Sequence, residues 1–163
     1  MQMNSSVSSL RIVSGGQTGA DRAALDWAIA NNIPHGGWCP AGRMAEDGTV
    51  PERYALTEML DGGYLKRTRA NVKNSDATLI VTLGANLSGG SLNTSEIAKE
   101  LKKPWLHMHP GLDWKLRLEN WLQGVPTQTL NVAGPRASNE PAVGVFVNEV
   151  LDELWRILRT KDS

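Results

Sequence analysis

The segment that most restricts the fold is a glycine-rich loop between an apolar run and an amphipathic run near the start of the chain. The loop spans 14–21, with the sequence SGGQTGAD, and directly follows the apolar run 10–13. Helical spacing then predicts one buried face, formed by Ala20, Ala23, Ala24, Trp27 and Ala28. Strand, glycine turn and helix in this order are typical of a parallel α/β sheet.

This first loop has two interpretations. Glycines let the backbone approach a ligand closely, and the N–H groups of a first helical turn attract anions, which favours a phosphate site. The other interpretation is a tight strand-to-helix turn without a ligand. The candidate ligand contacts are Gly15, Gly16, Gln17, Thr18, Gly19 and Asp21.

The role of Asp21 likewise has two interpretations. Thr18 and Asp21 have the spacing of a helix N-cap and its N3 acidic partner, so Asp21 either caps the helix or faces a ribose hydroxyl, a cation or a water.

A second glycine loop follows the most apolar run of the chain. Residues 77–83 (ATLIVTL) predict a strand buried on both faces, and 84–96 resemble the first loop, with Asn93 and Glu96 at the spacing of a capping pair. Its candidate contacts are Ser88, Gly89, Gly90, Ser91 and Thr94. Because ligands of open α/β sheets bind beyond the carboxyl ends of the strands, we expect both loops at one crevice.

The other segments predict further strands and helices and supply basic side chains that are candidate ligand contacts. We expect a strand at 33–38, a functional loop at 39–51 with Arg43, a short helix at 52–61, and a helix at 64–75 whose polar face carries Arg67 and Asn71. A strand at 104–109, a helix at 112–124 and a strand at 127–133 follow. Gly134 and Arg136 come next, and Ser138 or Asn139 could cap the last helix. A guanidinium at the end of a strand suits a phosphate, so Arg136 is a candidate contact.

The amino-acid composition restricts the kinds of binding partner that this chain can have. The chain has 163 residues with 17 basic and 17 acidic side chains, which argues against binding of duplex nucleic acid or an anionic membrane. No apolar run approaches the roughly 18 residues of a membrane span. A single cysteine, Cys39, is compatible with a cytoplasmic protein and provides no cysteine zinc cage, and His107 and His109 are expected to pack rather than bind metal. We expect a disordered segment at 1–9, one Rossmann-like ligand-binding domain at 10–160, and a possible homo-oligomer.

The motifs together resemble a known family. GGQTGAD at 15–21, RT at 67–68 with NV at 71–72, SDATLI at 75–80 and NVAGPR at 131–136 are similar to the bacterial putative molybdenum carrier proteins, a circularly permuted YpsA-like branch of the SLOG superfamily. The resemblance covers about 10–154. It implies an α/β Rossmann-like three-layer sandwich with a mostly parallel sheet of about five strands.

The resemblance also implies a ligand class. Family members are expected to bind a nucleotide-like ligand, and the family name suggests the molybdenum cofactor, whose pterin carries a phosphate and holds its metal through dithiolene sulfurs. Distant relatives, the LOG phosphoribohydrolases, cleave the base from a nucleoside monophosphate with a GGxGTxxE loop. Neither loop here matches that motif, so binding of a phosphorylated ligand is favoured over hydrolysis. The alternative is a nucleotide N-glycosidase using Asp21 or Glu96.

Overall fold

A five-stranded sheet in which every strand pair is parallel organises the protein. The computed structural model describes residues 9–161, and the expected disordered segment lies outside them except for Ser9. The strand order is β2-β1-β9-β7-β8. The strands of this sheet are β1 (Arg11–Val13), β2 (His35–Gly36), β7 (Ala77–Val81), β8 (Trp105–Met108) and β9 (Thr129–Ala133).

Helices cover both faces of the sheet. On one face α1 packs against α5, and α4 packs against α5; on the other face α2 packs against α3. The helices are α1 (Ala20–Ala30), α2 (Tyr64–Lys73), α3 (Gly89–Glu100), α4 (Trp114–Gly124) and α5 (Val143–Lys161). The predicted Rossmann-like three-layer α/β sandwich with a parallel sheet of about five strands is therefore confirmed.

The two faces of the sheet differ in character. The face under α1, α4 and α5 holds the main hydrophobic core, with fully buried side chains such as Ile12, Leu79 and Leu130. Facing α2 and α3 are buried polar groups, among them Thr78 and Asn131, which hydrogen-bond to each other (3.3 Å). Burying polar groups costs free energy unless they find partners. The polar face is therefore the side on which to look for a ligand.

Two small sheets lie beside the first glycine loop. One pairs β3 (Trp38–Pro40) with β6 (Thr57–Met59) in parallel, and the other is the hairpin of β4 (Met44–Ala45) and β5 (Gly48–Thr49). The predicted strand at 33–38 is divided between β2 and β3, which belong to different sheets. The predicted helix at 52–61 is wrong: pairing with β3 makes 57–59 extended, and tertiary pairing overrides local propensity.

The predicted helix caps are also wrong. Helix α1 has Gly19 as its N-cap, without a side-chain cap, so Thr18 does not cap it. Helix α3 already begins at Gly89, which places Asn93 inside the helix instead of at its cap. Helix α5 begins at Val143, several residues after Ser138 and Asn139. Capping signals located these three helices but not their first residues.

Candidate functional site

A cleft of about 630 Å³ opens at the carboxyl ends of β1, β7 and β9. The chain runs from β1 into α1 on one face of the sheet and from β7 into α3 on the other, so the connections diverge around β9. Such a divergence is where open α/β sheets bind ligands. Twelve of the sixteen predicted contacts line the cleft: Gly15, Gln17, Asp21, Arg67, Asn71, Ser88, Gly89, Gly90, Ser91, Thr94, Gly134 and Arg136.

The N-terminus of α3 forms one wall of this cleft. Its first residues, Gly89, Gly90 and Ser91, line the cavity, and the N-cap Ser88 makes no side-chain cap. N–H groups of a first helical turn have no partner inside the helix and carry partial positive charge. The ring of Tyr64 lies so close to Gly90 that a Cβ there would overlap its hydroxyl. This wall therefore offers backbone N–H donors, and a side chain at Gly90 would not fit beside Tyr64.

Arg67 is buried beside that wall, and residues 9–161 provide no hydrogen bond to its Nε. Its side chain is only 8% exposed, and its closest acidic partner, Asp21, is 3.8 Å away. The guanidinium otherwise lies over the ring of Tyr64, with Cζ 4.8 Å from the centroid. A buried guanidinium normally satisfies several donors, and Arg67 is one of the residues that line the cleft, which makes it a candidate for anion binding.

Asp21 lies at the base of the cleft with a perturbed acidity. Burial raises the pKa of its carboxyl from 3.8 to about 6, although Arg67 and the backbone N–H groups of Gln17 and Gly15 lower it. The N–H of Gln17 donates to Oδ2 at 3.2 Å. Desolvation exceeds the opposing effects because Arg67 is too distant for a close ion pair.

Gly15 is necessary for the position of Arg67. A Cβ at Gly15 would lie 2.6 Å from Cζ of Arg67 and would overlap Nη1. The φ of Gly15 is not in the left-handed region, so the requirement is space and not backbone conformation. Glycine at this position therefore lets the guanidinium lie directly on the first loop.

The other residues of the first loop contact neighbouring parts of the protein instead of the cleft. Within the described residues, the structure leaves Gly16, Thr18 and Gly19 outside the cleft lining. The amide of Ala20 donates to the carbonyl of Pro135 (3.1 Å), so the start of α1 is covered by backbone. Helix α3 therefore provides the exposed first turn expected of α1.

Glu46 joins the β4–β5 hairpin to the cleft rim. It accepts hydrogen bonds from the hydroxyls of Thr18 and Ser138, which lower its pKa, and its Oε1 is 3.9 Å from Arg136. Gln17 adds a second link by accepting the N–H of Glu46 (2.8 Å). Arg136 is thus at the cleft, but a carboxylate already lies beside it.

Two predicted candidates lie elsewhere. Arg43 donates hydrogen bonds to the carbonyls of Val50, Pro51, Leu56 and Tyr54 and so stabilises the fold of the 43–56 segment. It does not line the cleft. Glu96 lies in a shallow groove between the outer sides of α2 and α3. The structure therefore places neither Arg43, expected as a ligand contact, nor Glu96, expected as a candidate catalytic carboxylate, in the cleft.

Asn71 lines the cleft but its amide is occupied. It exchanges hydrogen bonds with the N–H and C=O of Trp38 (2.8 and 3.0 Å) and so fixes β3 against α2. Sequence reasoning missed several further lining residues, namely Tyr64, Thr82, Asn86, Asn131 and Glu140. A polar residue inside an otherwise apolar strand, as at Asn131, was the available signal for one of them.

Residues 9–161 contain no group of three or more His, Cys, Asp or Glu side chains placed to hold a metal ion. None of their helices combines the length and the apolar character needed to cross a bilayer. Nε2 of His107 lies 2.6 Å from the hydroxyl of Thr82, which itself donates to Gly84.

Comparison with known proteins gives a consistent result. A family model described as "Circularly permutated YpsA SLOG family" matches residues 12–155. The crystal structure of a "putative molybdenum carrier protein" from Syntrophus aciditrophicus SB is 46% identical, with a TM-score of 0.80 over 88% of this chain and 93% of that one. (E)-4-hydroxy-3-methyl-but-2-enyl diphosphate reductase is 13% identical with a TM-score of 0.40 over 88% of this chain and 59% of that one, too distant to bear on function. A search of curated proteins finds no match.

Proposed function

This chain belongs to the circularly permutated YpsA SLOG family, and we propose that it binds a phosphorylated, nucleotide-like ligand in the cleft. The first turn of α3 and the guanidinium of Arg67 hold the phosphate. Arg136, at the rim, adds a second positive charge. The sequence-based expectations of a cytoplasmic location and of a homo-oligomer remain predictions.

The observation that carries this proposal is the unsatisfied guanidinium of Arg67. Within the described residues its Nε has no hydrogen-bond partner and its ion pair with Asp21 is long (3.8 Å), which costs stability, and a ligand phosphate that accepts N–H bonds from the guanidinium would offset that cost. The uncapped first turn of α3 supplies further donors on the same cavity. Two independent groups of donors thus line the same cavity.

The molybdenum cofactor fits within this ligand class. The structural relative carries the name "putative molybdenum carrier protein", and the cofactor's pterin carries a phosphate that the Arg67 end of the cleft could hold. Its metal is held by its own dithiolene sulfurs, so the cleft would need to hold only the organic part. A cavity of about 630 Å³ lies within the size range of small-molecule sites, which is about 300–1,000 Å³.

Calorimetric titration with inorganic phosphate and with AMP tests the proposal. Arg67→Met removes the guanidinium and should weaken both ligands at least tenfold. Arg69→Met is the matched control, because Arg69 is an exposed cation on the same helix, paired with Glu100 outside the cleft. Arg67→Lys keeps the positive charge but lacks the planar, forked guanidinium, and it provides a second test should Arg67→Met fail to fold. Equal phosphate affinity in the wild-type protein and both Arg67 variants would refute the proposal.

A second function has one supporting observation. Asp21 is a cleft carboxyl with a pKa of about 6, a value suited to a general acid or base in nucleotide N-glycoside hydrolysis. Incubating the protein with AMP and assaying free adenine by chromatography separates the two functions. Adenine release that Asp21→Asn abolishes would establish hydrolysis, and bound but intact AMP would establish a carrier.

A further inference from the structure

Glu140 places a fixed carboxylate in the wall of the cleft. It lies in the connection between β9 and α5, and its Oε1 accepts the N–H of Leu83, just beyond β7, at 2.8 Å. This hydrogen bond ties two connections together and orients the carboxylate. Among residues 9–161, the other oxygen, Oε2, has no hydrogen-bond partner.

Among the described residues that line the cleft, Glu140 and Asp21 are the two that carry a carboxyl group. Arg67, Arg136 and the first turn of α3 all raise the local potential, whereas the charge of Glu140 opposes it. Accepting the N–H of Leu83 does not need a charge, because a neutral amide oxygen would accept it as well. The second oxygen and the negative charge therefore need another explanation.

We infer that Glu140 selects the uncharged half of the ligand by accepting O–H or N–H donors at Oε2. This inference rests on the proposed function and names the class of ligand. A phosphate fills only a small part of a cavity of about 630 Å³, so the remaining space has room for the rest of the molecule. A carboxylate there favours ribose hydroxyls or an exocyclic amine and repels a second anionic group. The ligand class is a monophosphate with a donor-rich sugar or heterocycle.

Glu140→Gln isolates this role. The glutamine oxygen can still accept from Leu83, so the tie between the two connections is kept, while the free oxygen becomes an N–H₂ donor. Glu149→Gln is the control, because Glu149 is an exposed glutamate of α5 outside the cleft. Each protein is titrated calorimetrically with inorganic phosphate, AMP, 2′,3′-dideoxy-AMP and purine riboside monophosphate, which lacks the amine of AMP.

The expected result is that AMP binds the wild-type protein at least tenfold more tightly than inorganic phosphate. Glu140→Gln should remove most of this advantage while phosphate binds as tightly as before. Loss of affinity for the dideoxy analogue assigns the ribose hydroxyls as donors, and loss for the purine riboside assigns the amine.

Two results would overturn the inference: an unchanged AMP advantage in Glu140→Gln, or AMP binding no more tightly than phosphate. If neither phosphate nor AMP binds any variant, the proposed function fails as well, so the two failures are distinguishable.

Discussion

Replacing Gly15 with alanine should displace Arg67 without unfolding the protein. The new Cβ would lie 2.6 Å from Cζ of Arg67 and would overlap Nη1, whereas non-bonded atoms pack at about 3.5–4.0 Å, so the guanidinium must move by more than about 1 Å. Hydrogen bonds to charged groups contribute about 1.5–3 kcal/mol, and losing one lowers affinity roughly 10- to 100-fold. Because only the end of a flexible side chain is displaced, we expect the free energy of unfolding to change by less than about 1 kcal/mol.

Calorimetric titration with inorganic phosphate, alongside urea unfolding, measures both effects of Gly15→Ala. Gly124→Ala is the matched control: Gly124 ends α4, far from the cleft, and an added Cβ there has no neighbour within 4 Å. Phosphate affinity equal to that of the wild-type protein would refute the argument that Gly15 makes room for the anion-binding guanidinium. A large loss of stability would show instead that Gly15 serves folding.

Three further predictions separate binding from stability. Asp21 has a pKa of about 6 in the folded protein and 3.8 as its ordinary value. Since the folded state holds the proton more tightly, the free energy of unfolding should fall by at most about 3 kcal/mol as pH rises through that interval. Urea unfolding should show this fall in the wild-type protein and not in Asp21→Asn, and identical pH dependence would contradict it. Arg43→Met should lower the free energy of unfolding by about 2–4 kcal/mol, because four carbonyls lose a charged donor. The same substitution should leave phosphate affinity within about twofold of the wild-type value. A large loss of phosphate affinity with unchanged stability would contradict this prediction. Glu96→Gln should change neither AMP affinity nor any adenine release, and a clear effect on either would return Glu96 to the site.

The sequence predicted the architecture because the relevant signals are local. Apolar runs such as 77–83 and helical periodicity report burial directly, and glycine after a strand reports a close backbone approach. Both glycine loops do reach one cleft. Their strands are not adjacent, however, because β9 lies between β1 and β7, and strand order depends on long-range pairing that no local pattern encodes.

The details of the site depended on tertiary packing. The polar face of α2 indicated Arg67 and Asn71 equally, yet within the described residues Nε of Arg67 has no partner, whereas the amide of Asn71 accepts from and donates to the backbone of Trp38. Similarly, a lone arginine in a polar loop indicated a ligand contact at Arg43, but four carbonyls converge on it only after the segment folds back. Glu140 had no sequence signal, since its position is set by the N–H of Leu83 in the connection that follows β7, far away in the sequence.

The central claim is that the first turn of α3 and Arg67 together bind an anion. A titration of the ¹⁵N-labelled protein with inorganic phosphate, followed by NMR, tests it most directly. We predict that the amides of Gly89 and Gly90 and the Nε–H of Arg67 shift together with a single dissociation constant. Saturable shifts confined to other cations, such as Arg136 at the rim, with those three signals unmoved would contradict the account.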